Sequence, residues 1–228
     1  MTNNYLKKYY GSSGEYLTDH RLFLDSANLE KDTDFLVKAL SLKQDDKILD
    51  IACGQGRHTN YLAQRGYHVD GTDFSEHLIK KAKESAVGLK GEKSEYFISD
   101  IMSLKLSKKY NKAYWFFSDL ANIDIPTAIN SISNNIEIGG MVLFDTDNIF
   151  RIISYLLKNP DSNYKFDATE FKLIDDKKKL DIPYPPLPIW EQWMEKSKFS
   201  IQKVIGDYDF REYSIYSPRL ILIVKKIA

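Results

Sequence analysis

LDIACGQGRH, residues 49–58, decides how this 228-residue chain is read. The β-prone run Lys47 to Ile51 leads into it, and Arg57 to Arg65 follows as a helix-compatible segment stopped by Gly66, so the stretch reads as strand, glycine turn, helix. Gly54 and Gly56 permit positive φ and remove the Cβ atoms that would hold a ligand off the backbone. A Walker-type phosphate loop needs a lysine and a hydroxyl residue after its glycines, and here Arg57 and His58 stand there. A dinucleotide fingerprint needs a third glycine where Thr59 stands, which weakens an NAD-dependent oxidoreductase without removing it as an alternative.

The same rhythm continues outward from the turn. Tyr67 to Thr72 reads as a second strand, and Ser75 as the N-cap of a helix with Leu78, Ile79, Ala82 and Ala86 on one face. Tyr96 to Ser99, Ala113 to Phe117 and Met141 to Phe144 are further strand candidates, with a helix-compatible Ile125 to Ile136 between the last two. Such alternation implies an α/β fold with a mostly parallel sheet covered by helices on both faces. Ahead of it, Ser26 to Leu42 carries a helical apolar face. The last third departs from the pattern. Asn148 to Lys158 reads as a helix, and the proline-rich 159–188 segment, with its charge run Asp175 to Lys179, as a loop or hairpin excursion. Ile189 to Lys196 reads as a helix, and Phe199 to Ile205 and Arg219 to Lys225 as an antiparallel strand pair. The expected organisation is one domain: a helical cap over 1–45, a core over 46–158, a substrate-side insertion over 159–188 and a closing helix and strand pair over 189–228.

Lys plus Arg and Asp plus Glu number 32 each, which argues against steering onto nucleic acid. No apolar run is long enough to span a bilayer and MTNNYLKKYY lacks a signal-peptide core, so a soluble, cytoplasmic protein without a membrane partner is expected. The one cysteine, Cys53, cannot form an internal disulfide. His58 and His77 fall in expected helices and His20 and His68 lack ligand-spaced partners, so no metal site is expected.

Two carboxylates follow the turn. Asp73, in GTDFS, ends the second strand at the spacing where an acid accepts both hydroxyls of an adenosine ribose. Asp100, in FISDI, ends the third, where it can accept from the exocyclic amine of adenine while Phe74 and Ile101 pack against the ring. With these in place, ILDIACGQGRHTNYLAQRGYHVDGTDFS, FISDI, IGGMVLFD and GDYDFREYSIYSPRLILIVKK resemble a class I S-adenosylmethionine-dependent methyltransferase, closest to the bacterial small-molecule type. The resemblance implies a Rossmann-like, doubly wound sheet of seven strands, the last antiparallel and inserted beside the sixth. It implies S-adenosyl-L-methionine as cofactor and S-adenosyl-L-homocysteine as product. Asp50, Ala52, Cys53, Gly54 and Gly56 would surround the methionine part, with Asp50 acting directly or through water near the ammonium. Asp73 would hold the ribose, Asp100 and Ile101 the adenine, and backbone near Phe117 would meet the methionyl side. Ala52 departs from the family's usual first glycine, and Asn111 stands where an acid often opens the fourth strand.

A methyl group on cationic sulfur needs chiefly an aligned acceptor and exclusion of water. The expected reaction is transfer to a nitrogen or oxygen of a small molecule, the alternative being a non-catalytic binding module. Candidate acceptor-side residues are Ser118, Asp119, Asp147 and Asn148 with Tyr9, Tyr10 and Tyr16; Asp119 and Tyr10 are the candidate catalytic groups. Each has a plainer reading: Asp119 as a loop former, Asp147 and Asn148 as helix caps, the tyrosines as packing. WFFSDL stands where amino-group methylators of nucleobases and glutamine usually carry an N/D-P-P-Y/F element, which points toward a small molecule beneath the IPYPPLPIW excursion. The oligomeric state is left open.

Overall fold

The computed structural model describes residues 4–19 and 26–228, so His20 and parts of the 1–45 segment lie outside the described residues. Three helices come first: α1 (Asn4–Tyr9), α2 (Tyr16–Asp19) and α3 (Ser26–Leu40). The alternating core follows as β1 (Lys47–Ile51), α4 (Arg57–Gln64), β2 (His68–Asp73), α5 (Glu76–Ala86), β3 (Tyr96–Ile98), β4 (Tyr110–Trp115), α6 (Ile125–Ser133) and β5 (Ile136–Asp147). Then come α7 (Ile149–Lys158), β6 (Lys165–Asp167), β7 (Lys172–Asp175), β8 (Leu180–Pro183), α8 (Leu187–Lys196), β9 (Phe199–Ile205) and β10 (Arg219–Lys226).

Seven strands form one sheet in the order β3-β2-β1-β4-β5-β10-β9. The first five pair in parallel, and β10 lies antiparallel between β5 and β9. This is the doubly wound, mostly parallel sheet with its last strand antiparallel that the motifs implied. Strand order reverses between β1 and β4, and in open α/β sheets a crevice forms beyond the strand ends at such a point. Period-two alternation builds the two cores. Ile48, Tyr114, Leu143 and Ile221 face α3 and α4 residues such as Leu36 and Leu62, whereas their neighbours Leu49, Trp115, Phe144 and Leu222 face Ile129, Trp190 and Met194 of α6 and α8. All these side chains are buried.

Two strands differ from expectation. β5 begins at Ile136 rather than Met141, because the chain absorbs an irregularity at Gly139 (φ 85°): Tyr110 pairs with Ile136 but Lys112 with Met141. Bulges of this kind keep a strand going through glycines that read as a break. β4 runs from Tyr110 to Trp115, not to Phe117, since Phe117 turns out of the strand at φ 53°. The 159–188 excursion contains the antiparallel meander β6-β7-β8. Among the described residues no helix is long and apolar enough to cross a membrane.

Candidate functional site

A cavity of about 1300 Å³ opens beyond the carboxyl ends of β1, β2 and β4. One wall is the glycine turn, where Ala52, Gly54 and Gly56 have φ of 57°, 56° and 74°. A left-handed alanine is strained, which is the local cost of the missing first glycine. Asp73 organises this wall: Oδ2 accepts from Gly54 N at 2.9 Å and Oδ1 from Ser75 N at 2.8 Å, while Ser75 itself caps α5 through Leu78 N at 3.2 Å. Burial pushes the Asp73 carboxyl up to about 6 against the pull of these amides. Across the floor, Asp100 accepts from Met102 N at 2.9 Å and starts the 3-10 turn of Ile101 to Ser103. Phe74 and Ile101 line the cavity beside these two acids, as do Ala52 and Cys53.

Two residues of the turn sit elsewhere than expected. Asp50 does not reach the cavity wall; it is 3% exposed beneath the turn, accepting from Thr59 Oγ1 at 2.6 Å, and burial raises its carboxyl to about 7. The strand alternation that sends Leu49 and Ile51 to one core sends Asp50 under α4 instead. Gly56 also stands off the cavity, since a Cβ there would lie 2.7 Å from Tyr96 Oη and 2.8 Å from Ala82 Cβ. Its lack of a side chain serves the packing of α4 against α5 and β3.

The N-terminal helices and the loop after β4 line the same cavity. Tyr10 donates its hydroxyl to Asp119 Oδ2, while the Tyr10 carbonyl accepts from Ser75 Oγ at 2.7 Å. Its ring meets Tyr16 and Phe74 at centroid distances of 4.7 and 5.5 Å. Burial, with Asp119 beside it, raises the Tyr10 hydroxyl well above the ordinary phenol range, and burial lifts Tyr16 to about 12, so both stay protonated. Asp119 also accepts from Ala121 N at 3.0 Å, so it shapes its own loop as well. Ser118 and Asp147 line the cavity. Tyr9 does not: it donates to Asp19 Oδ2 at 3.0 Å. Asn148 is fully buried away from the cavity, capping α7 through Phe150 N at 3.2 Å and donating to the carbonyls of Ser214 and Ser217.

Sequence reasoning missed the groups that gather around Phe117. Two guanidinium groups stand over its ring, Arg57 at 5.9 Å and Arg219 at 5.8 Å, with the His58 imidazole stacked at 6.0 Å. Asp145, fully buried, accepts from Phe117 N at 2.9 Å, Arg219 Nε at 2.8 Å and Tyr208 Oη at 3.1 Å, which fixes the turn out of β4. Arg219 also donates to Asp147 at 2.7 Å. Asp32, from α3, accepts from Arg57 Nη2 at 3.3 Å and faces His58 Nε2 at 3.3 Å; burial lowers the His58 pKa, so its ring is neutral. The available signal was the Arg57-His58 pair of the opening stretch.

Residues 48–140 match the family model described as a methyltransferase domain. That stretch, from β1 into β5, is similar to a methyltransferase domain. A phosphoethanolamine N-methyltransferase of Zea mays is 24% identical over 174 residues, which cover 73% of this chain and 33% of that protein. This chain therefore spans a third or less of the length of the plant relatives of that name. A solved S-adenosylmethionine-dependent methyltransferase from Clostridium acetobutylicum superposes with a TM-score of 0.73 at 18% identity, covering 93% of this chain and 97% of that one. The magnesium protoporphyrin IX methyltransferase of Synechocystis, solved with bound S-adenosylhomocysteine, does so at 0.68 and 16%, covering 97% of each chain. The fold of the methyltransferase domain thus extends over nearly the whole chain.

Proposed function

We propose that this protein transfers a methyl group from S-adenosylmethionine to the nitrogen of a small amine. The observation that carries the reading is the contact of Tyr10 with Asp119 in the cavity that Asp73 and Asp100 also line. The residues present fit the cofactor. A Cβ built on Gly54 would meet nothing nearer than Tyr16 Oη at 3.9 Å, so open space lies directly against the backbone of the turn. Asp73 would accept from the ribose hydroxyls, Asp100 with Ile101 and Phe74 would hold the adenine, and Ala52 to Gly54 with Phe117 would border the methionyl chain.

When bound, the cofactor supplies a methyl group on a cationic sulfur. For that transfer the cavity would have to hold the acceptor nitrogen with its lone pair free and exclude water. An acceptor that enters as an ammonium would first lose a proton, to Asp119 or to water, so that its lone pair is free. Among the described residues eight carboxylates line the cavity against five Lys or Arg side chains, a balance that favours an ammonium-bearing acceptor over an anionic one. Tyr10, Tyr16 and Tyr184 add aromatic faces suited to a cation, and the names of the plant relatives favour nitrogen as the methylated atom.

Incubation with S-adenosylmethionine and a panel of primary, secondary and tertiary amines, followed by mass spectrometry, tests the reading. N-methylated product with matching S-adenosylhomocysteine is expected. Products methylated only on oxygen, or no S-adenosylhomocysteine above background, would overturn it.

A further inference from the structure

A buried carboxylate on β5 gathers three segments of the cavity wall. Asp145 does not itself line the cavity, yet Phe117, Tyr208 and Arg219, which donate to its side chain, all do. Oδ2 accepts from Phe117 N, in the loop after β4, at 2.9 Å and from Tyr208 Oη, in the loop after β9, at 3.1 Å. Oδ1 accepts from Arg219 Nε, at the start of β10, at 2.8 Å, and the Asp145 carbonyl takes the next amide of the β4 loop, Ser118 N, at 3.2 Å. The desolvation of a buried carboxylate offsets much of the gain from its ion pair, so stability alone is a weak reason for Asp145. Its bonds have a more specific effect. Phe117 sits at φ 53°, a left-handed conformation that a residue with a side chain keeps only where its surroundings over-determine it, and this apolar residue is 42% exposed. Ser118 and Asp119 follow directly, so whatever sets the turn at Phe117 sets them too.

We infer that Asp145 is a positioning residue for methyl transfer, holding Phe117, and through it Asp119, where the acceptor must meet the cofactor. For its acceptor the inference rests on the amine reading above. Asp145 acts through the loop after β4, in which Asp119 receives the Tyr10 hydroxyl two residues beyond Phe117. Tyr208, whose ring meets the Phe117 ring edge-on at 5.6 Å, and Arg219, whose guanidinium stands 5.8 Å over it, share the same carboxylate. One group thus fixes both the turn and the side chains against which its ring rests. Misplacing a reacting group by about 1 Å can lower a rate about 100-fold, which is the size of effect open to a residue that never reaches the ligand.

The test uses the full chain labelled with para-fluorophenylalanine, the Phe117 line of its fluorine NMR spectrum being assigned by its loss in Phe117→Leu. Asp145→Asn should shift and broaden that line, while those of Phe97 in β3 and Phe166 in β6 stay in place and show that the variant is folded. With S-adenosylmethionine and the panel of primary, secondary and tertiary amines, the same variant should lower kcat about 10- to 100-fold and keep S-adenosylhomocysteine affinity, by calorimetry, within about threefold. A general loss of stability produces no such split. Where Asp145→Asn does not fold, Tyr208→Phe, which removes one donor to Oδ2 and keeps the ring, should broaden the same line and lower kcat in the same sense. An unmoved Phe117 line in the folded variant, or S-adenosylhomocysteine affinity falling as far as kcat, overturns the inference while the amine reading stands. A wild-type protein that methylates no amine overturns that reading, and the fluorine line then decides alone whether Asp145 holds the turn.

Discussion

Oδ2 of Asp73 accepts the backbone N–H of Gly54 at 2.9 Å, so the acid that ends β2 holds the glycine turn that follows β1. Its second oxygen takes Ser75 N at 2.8 Å, which ties the same carboxylate to the start of α5. Asp73→Ala therefore removes an acceptor from two buried amides as well as from the ribose. We expect S-adenosylhomocysteine binding to weaken by about 1–3 kcal/mol and unfolding stability to fall by a similar amount. Calorimetry and urea titration measure the two; unchanged affinity in the variant would count against the ribose role.

Asp50 links this wall to pH. Burial raises its carboxyl to about 7, against about 4 for an aspartate in an unfolded chain. Between these values the native state holds a proton that the unfolded chain has lost. The contribution is therefore full below about pH 4 and is lost as pH rises through 7, at up to about 1.4 kcal/mol per pH unit. Asp73, raised to about 6, acts in the same sense in a lower window. Asp50→Asn should flatten the decline of the melting temperature between pH 5 and pH 8, leaving the share of Asp73. Parallel profiles for the two proteins would show that Asp50 is not the titrating group.

The parts of the fold readable from sequence are those governed by local rules. Short β-prone runs marked β1, β2, β9 and β10, the hydroxyl of Ser75 marked the start of α5, and Gly66, at φ 87°, marked the end of α4. The positions of Asp73 and Asp100 followed, since a strand end carries its residue to the crevice whatever the rest of the chain does. The Phe117 cluster was not legible because its members meet only through tertiary pairing. Arg219 reaches Asp145 and Asp147 by the antiparallel register of β10 on β5, and Asp32 arrives from α3, 25 residues before Arg57. Asn148 was misplaced for a related reason: a polar residue after a strand serves equally as ligand or cap, and here the carbonyls of Ser214 and Ser217 draw it inward.

The two glycines of the turn should separate in mutagenesis. Gly56→Ala places a Cβ 2.7 Å from Tyr96 Oη at φ 74°, so left-handed strain adds to overpacking of α4 against β3 and α5. A loss of about 2–5 kcal/mol in unfolding free energy is expected. Gly54→Ala carries the strain of φ 56° but meets nothing within 3.9 Å, and should cost only about 1–2 kcal/mol. Its Cβ enters the cavity, so its larger effect should be on S-adenosylhomocysteine affinity. Equal stability losses, or weaker ligand binding in Gly56→Ala than in Gly54→Ala, would contradict this division.

Tyr10→Phe isolates the acceptor side, because it deletes one hydroxyl while keeping the ring against Tyr16 and Phe74. The Tyr10 carbonyl, and with it the bond from Ser75 Oγ, is untouched, so the cofactor side should not move. What is lost is the donor to Asp119, and with it the fixed orientation of that carboxylate toward an incoming amine. A hydrogen bond to a charged group corresponds to about 10- to 100-fold, which is the expected fall in kcat/KM for the acceptor, with S-adenosylhomocysteine affinity held within about threefold. Asp119→Asn should show the same loss together with a weaker dependence of rate on ionic strength, since it removes the charge that attracts an ammonium. If Tyr10→Phe instead weakens S-adenosylhomocysteine and leaves the acceptor constants alone, the tyrosine belongs to the cofactor wall, and the acceptor must be sought nearer Tyr184 and Asp147.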